Sequence, residues 1–355
     1  MSTRKTWRVR AFAGAVVGLL LAGGAAILGA GSRQAIAQGN ELVVAVFGGT
    51  FEKAWRANVI QAFEKEHNAR VRVVTGLSAE NFAKLRAQKD NPQIDVVTFD
   101  APFALVAARE GLLETLDPQK IPNLGQLHDF ALPKDRAYVA FFTSSQVLAY
   151  NTQNVKTAPT SWADLWKPEY KGKVVLPEIG SISGAYFVAM MGKAFGKDLF
   201  DDNAAFERVK TLRPSVLTFW TSHDQLANLL VQGEAWLSPW ASDRAAFQIK
   251  SGAPIGSVVP KEGAIFGMGA MGIAKGSKQR ALAEQYVNYS LAAAPQKLNA
   301  ETMFIGPTNR GVQLGDDVAK LVPYGENLKR LVAPDWDEFG KRRDQWVDRW
   351  NREIK

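Results

Sequence analysis

"ELVVAVFGGTFEKAWRANVIQAF" (residues 41–63) changes its hydrophobic period partway along. "LVVAVF" is a short apolar run with the β-branched composition of a buried strand. "GGT" then turns the chain, and Phe51, Trp55, Val59, Ala62 and Phe63 recur at the spacing of one helix face. A strand that leads straight into a helix is the opening unit of an α/β fold, and the unit recurs downstream. "ARVRVVTG" (69–76) reads as the next strand and "IDVVTF" (94–99) as another. The latter leads to Asp100 as an N-cap and to a helix through Arg109 that stops at Gly111. This alternation predicts a mostly parallel sheet with helices on both faces.

The same grammar continues in "KTAPTSWADLWKPEYKGKVVLPEIGSISGAY" (156–186). Ser161 and Asp164 make a capping-box pair before a short helix, Pro168 ends it, and "GKVVLPE" enters a strand finishing at Glu178. Helices are expected over 184–195 and 202–212 and a strand over 215–219, after which Ser222 and Gln225 cap a helix closed by Gly233. "EAWLSPW" and "IGSVVP" read as strands around a helix bearing Ala245, Phe247 and Ile249. "IFGMGAMGIAKGS" (265–277) then carries the chain back to its first half. Residues 281–355 read as helical, with Leu282, Tyr286 and Tyr289 on one face and Phe339, Trp346 and Trp350 on another. That aromatic stripe is expected to pack lobes together rather than to meet a membrane.

The first 37 residues have the pattern of an export leader. Arg4, Lys5, Arg8 and Arg10 precede an uncharged run from Ala11 to Ser32, and Ala35 and Ala37 supply the small residues of a cleavage site, so cleavage after Ala37 is expected. The alternative is a retained anchor, but the run contains six glycines and ends at a good cleavage site. Arg4-Lys5 only half resembles a twin-arginine signal, which favours the general secretory route. Five cations and no acid leave with this segment, so the formal net charge drops from +8 to +3. No basic stripe with interleaved aromatics remains, and nucleic acid is not expected as a partner. The cysteine count is 0 and the 3 histidines are scattered, so disulfides, a lipidated thiol and a metal site are not expected. An exported chain without a tether points to a Gram-negative periplasm.

The part that follows Ala37, about 318 residues long, exceeds what one hydrophobic core usually organises. Two lobes are therefore expected, one from 38–145 with 265–355 and the other from 146–264. Gly267, Gly269 and Gly272 have the spacing G-x-G-x-x-G of a dinucleotide fingerprint, yet "GIAKGSK" follows them as extended chain rather than as a helix. The nearest acids, Glu284 and Glu301, are misplaced for a ribose, and the nucleotide reading fails. A G-x-S-x-G hydrolase elbow is missing too, since "GSISG" (180–184) puts isoleucine in the nucleophile position. A secreted hydrolase assembled from distant residues stays open as the alternative class.

"SWADLWKPEYKG" (161–172) and "GAPIGSVVPKEGAIF" (252–266) resemble the periplasmic solute-binding proteins of ABC importers, in particular the spermidine/putrescine-binding group. Weaker similarity covers nearly all of the exported part, including "QVLAYNTQNV", "LANLLVQGEAWL" and "GPTN". The resemblance implies a type II periplasmic-binding-protein fold of two α/β lobes joined by crossing strands. A small solute would be held in the cleft, and closure would present the monomeric protein to an inner-membrane permease. No cofactor and no covalent chemistry are implied. Residues just after the strands "VVAVF", "VVTF", "VVLP" and "AWLSPW" are expected to line the cleft.

In that family the place of "GMG" resembles an aromatic-Met-Asp triplet that grips the amine, and here both gripping positions are glycines, Gly267 and Gly269. "FGGTF" (47–51) likewise stands where an aromatic-Thr-Glu sequence is expected. Asp100, Glu178 and Asp243 are the candidate carboxylates for a cationic or zwitterionic solute, with Trp220 or Trp240 as a ring against its charge. Each has a plainer role open to it: Asp100 a cap, Glu178 a surface charge, Asp243 a partner of Arg244, the tryptophans core. An anionic solute is the alternative, held by Arg244 and by the helix starts at Gly49-Thr50 and Ser181-Ser183.

Overall fold

The structure, a computed structural model, describes residues 40–355; the expected export leader and the expected cleavage after Ala37 fall outside the described residues. The opening βα units form as their patterns dictate: β1 (Glu41–Val46), α1 (Thr50–Trp55), α2 (Gln61–His67), β2 (Arg70–Thr75), α3 (Ser78–Ala87), β3 (Val96–Asp100) and α4 (Ala101–Arg109). A single π-helical turn, Arg56–Ile60, joins α1 to α2. β1 pairs in parallel with β2 on one side and β3 on the other. After β4 (Val139–Asn151), the second half runs β5 (Val174–Pro177), α5 (Ile182–Phe195), α6 (Asp202–Leu212), β6 (Val216–Trp220), α7 (His223–Val231), β7 (Leu237–Ala241), α8 (Ser242–Lys250) and β8 (Ile255–Val258). The chain then returns through β9 (Ala264–Ile273) to α9 (Arg280–Ser290), α10 (Ala293–Met303), α11 (Asp316–Ala319), β10 (Leu331–Val332) and α12 (Trp336–Glu353).

The strands follow the order β2-β1-β3-β9-β4-β7-β5-β6. β4 is long enough to serve both lobes. Its residues Val139 to Ser145 pair antiparallel with β9, and Gln146 to Tyr150 pair with β7. The stretch "IFGMGAMGI" is thus a fully buried strand wedged between β3 and β4, which is why its glycines do not open a helix.

Each lobe has its own core. In the first, Val44, Val59, Phe63 and Tyr286 are buried together, and the Trp55 indole donates to the Tyr286 hydroxyl at 2.8 Å. In the second, Leu176, Phe187 and Val209 pack with Phe339, Trp346 and Trp350 of α12. Each such large side chain contributes roughly 1.5–3 kcal/mol by leaving water. The aromatic face of α12 therefore buries in the second lobe's core, although the chain-order division placed residues 265–355 with the first. α12 still reaches back: Asp337 forms an ion pair with Arg109 of α4, and Arg343 lies 5.2 Å over the Phe103 ring while donating to the Gly180 carbonyl at 2.9 Å.

Candidate functional site

Polar residues from the ends of several strands come together beside β4 and β9. Asp100, the last residue of β3, stands at the N-cap of α4, yet its carboxylate makes no cap bond. It accepts instead from the Ser78 hydroxyl at 2.7 Å, and the Asp100 amide donates to the same oxygen at 2.8 Å. Burial pushes its pKa up to about 6, opposed by the Ser78 bond and assisted by the charge of Asp243, with Arg343 pulling the other way. Among the described residues no cation lies within ion-pair distance of it.

Across the cleft, β7 delivers Ser242, Asp243 and Arg244 at the start of α8. Asp243 accepts from the Ser144 hydroxyl at 2.8 Å and has Arg244 Nε at 3.3 Å, so its charge is matched. Arg244 Nη1 donates to Thr50 Oγ1 at 2.9 Å, a bond between the two lobes. Thr50 sits where it does because Gly49 turns the chain with φ 71°, a conformation that disfavours any side chain. Ser242 Oγ accepts from the Ser145 amide at 3.0 Å and fixes the start of α8 to β4. The Tyr186 ring of α5 is buried, and burial, then the charge of Asp100, raises its pKa well above the usual tyrosine value. The cavity bounded by Thr50, Phe51, Asp243, Arg244 and Phe247, about 50 Å³, is far below the roughly 300–1,000 Å³ of a solute pocket, whereas one of about 590 Å³ lies against Ser145 and Ser242, with Lys261, Lys320 and Arg330 on its wall.

Other expected site residues have different neighbours. Glu178 is paired with Lys355 Nζ at 2.9 Å. Ser181 caps α5, accepting from the Gly184 amide at 3.2 Å and donating to the Glu178 carbonyl at 2.7 Å. Ser183 is buried, and its carbonyl accepts from Gln146 at 2.8 Å. Trp220 and Trp240 belong to the second lobe's core with Leu226 and Leu230. The Trp240 indole donates to His223 Nδ1 at 3.0 Å; burial, then Arg244, lowers the His223 pKa to about 4, so this ring is a neutral acceptor at pH 7. The two tryptophans thus back the site rather than face it. Gly267 and Gly269 lie in β9, paired with Ser144 and Phe142.

The sequence reading missed Ser78, Phe142, Ser144, Tyr186 and Ser242. Alternation along β4 places Phe142 and Ser144 on one face, but which face meets the cleft follows only from the pairing of β4 with β9.

Comparison with known proteins bears on the family and the fold. The pattern of the family described as bacterial extracellular solute-binding protein matches residues 58–323. The chain is 27% identical over 334 residues to a gamma-aminobutyric acid-binding protein of Pseudomonas aeruginosa, covering 88% of this chain and 92% of that one. It is 29% identical over 286 residues to the spermidine/putrescine-binding periplasmic protein of Escherichia coli, covering 76% and 81%. Among solved structures, an ABC transporter protein from Clostridium perfringens superposes with a TM-score of 0.74 at 28% identity, covering 88% of this chain and 100% of that one. The two lobes, the crossing strands and the match over most of the chain place this protein in the bacterial extracellular solute-binding family.

Proposed function

We propose that this substrate-binding component of an ABC importer captures a small solute bearing an ammonium group, cationic or zwitterionic. The observation that carries the reading is Asp100: a half-buried carboxylate at the end of a central strand, with a hydroxyl partner and, among the described residues, no cation within ion-pair distance. Burying a charge without a partner is costly, and an ammonium brought by the solute supplies that partner. Its arrival stabilises the ionised carboxylate, and contacts to both lobes favour the closed state. The bond from Arg244 to Thr50 spans the same gap and forms only when the lobes meet. Release leaves the solute unaltered, since the cleft requires no covalent step. The protein works in the periplasm as a monomer, its leader removed after Ala37, and hands the solute to an inner-membrane permease.

An anionic solute is less well supported, because the charge of Arg244 is already matched by Asp243. Calorimetric titration against amines, amino acids and carboxylates, with thermal shift and product analysis in parallel, tests the reading. Saturable stabilisation by an amine, abolished in Asp100→Asn, is expected. Turnover of a compound without saturable stabilisation would sink the binding-protein reading, and loss of binding in Arg244→Ala alone would reverse the charge assignment.

A further inference from the structure

Three positions stand in one row across the cleft floor: Asp100 on β3, Gly269 on β9 and Phe142 on β4. Directly paired residues turn their side chains to the same face, so the row presents a carboxylate, a bare Cα and an aromatic ring. Two residues along, Gly267 pairs with Ser144, whose hydroxyl holds Asp243. The backbone does not require glycine at position 269, which is absent from the positive-φ residues among those described. The obstacle is Phe142: a Cβ on Gly269 would run into its ring. That ring is held firmly, 4.8 Å from Phe141 and 5.7 Å from Phe51 between centroids, and it is buried. Position 267 is less crowded, since a Cβ there would lie 3.4 Å from the Tyr186 ring.

The acids around the cleft are already distributed. Asp243 is matched by Arg244 and Glu178 by Lys355, whereas among the described residues no cation lies within ion-pair distance of Asp100. We infer that this row sets the number of ammonium groups the solute carries: position 269 is a glycine whose side-chain space Phe142 fills, so Asp100 is left as the single unmatched carboxylate, which selects solutes with one ammonium over diamines. The inference rests on the amine reading above. A second ammonium would exchange its hydration for ring faces without a counter-charge, and a ring alone replaces little of what water gives. A solute with one ammonium places its remaining carbons against Phe142 and Tyr186 and keeps the charge at Asp100.

Three four-carbon probes separate the possibilities: butylamine, 4-aminobutanoate and putrescine, titrated calorimetrically into the full exported protein and into Phe142→Ala/Gly269→Asp. The double substitution puts a second carboxylate in the space the ring vacates. The wild type is expected to bind at least one of the single-ammonium probes about tenfold or more tightly than putrescine, and the double variant to shift that ratio towards putrescine by about tenfold or more. Phe142→Ala alone, which opens the space without adding charge, is expected to leave the preference for one ammonium in place. A wild type that binds putrescine as tightly as the better of the other two overturns the inference and leaves the amine reading standing. So does an unchanged ratio in a double variant whose circular dichroism matches the wild type. Binding of none of the three at millimolar concentration overturns the amine reading, and the inference with it. If the double variant fails to fold, the wild-type ratio alone still decides.

Discussion

Asp100→Asn is expected to stabilise the solute-free protein near neutral pH while removing its ability to bind an amine. The pKa of this partly buried group rises from 3.8 to about 6, chiefly through burial. Because the folded value is raised, its contribution to stability is fully present below 3.8, the unfolded value, and is lost as pH rises through about 6. At pH 7.5 the ionised aspartate therefore weakens the folded state by about 2–3 kcal/mol, allowing 1.36 kcal/mol for each pKa unit. Asparagine keeps a polar group beside Ser78 without the charge, so the variant is expected to melt a few degrees higher at pH 7.5, and the difference should close by pH 4. The same carboxylate is about nine-tenths ionised at pH 7 and about one-tenth at pH 5 when its pKa is near 6, so amine affinity should fall about tenfold between them. Calorimetric melts and titrations at the two ends of the range measure both effects. A variant that melts below the wild type at pH 7.5, or a wild-type affinity equal at pH 7 and pH 5, refutes the assignment of Asp100 as a strained, solute-facing carboxylate.

Arg244→Ala removes the bond to Thr50 and leaves Asp243 without its cation; small-angle scattering should show a larger average radius for the solute-free protein, and an unchanged radius would mean this bond does not hold the lobes together. Tyr286→Phe leaves the buried Trp55 indole N–H without an acceptor and should cost about 1–3 kcal/mol in denaturant unfolding. Trp346→Ala removes a buried ring from the second core together with its 2.8 Å bond to Asp202, and a loss of about 3–5 kcal/mol is expected. Limited proteolysis of that variant should cut within α12 first, since this ring anchors the helix to the second core.

Much of the architecture was legible residue by residue. The switch from strand to helical period at Gly48-Gly49, the stop at Gly111 and the cap at Ser222 are local signals, and the elements they bound form where those signals lie. The motif at residues 265–272 was also readable as something other than a nucleotide loop, because extended chain follows it. The site was less legible. Asp100 and Asp243 could be named as candidates from their places at strand ends and Thr50 from a helix start, but that Glu178 is engaged by Lys355, more than a hundred residues away in sequence, could not be read. The two tryptophans were drawn into a core whose existence no short window reports.

The alternation of β and α units and the family were determined by the sequence itself, because periodicity, capping and motif spacing act over a few residues and survive in one dimension. The tertiary structure alone decided that Phe142 covers Gly269, that Ser144 holds Asp243 and that Asp100 keeps its charge unmatched. Those relations depend on the register of β9 between β3 and β4. Register is set by how the two sheet faces bury as a whole, and a shift of one residue would exchange every side chain in the row for its neighbour.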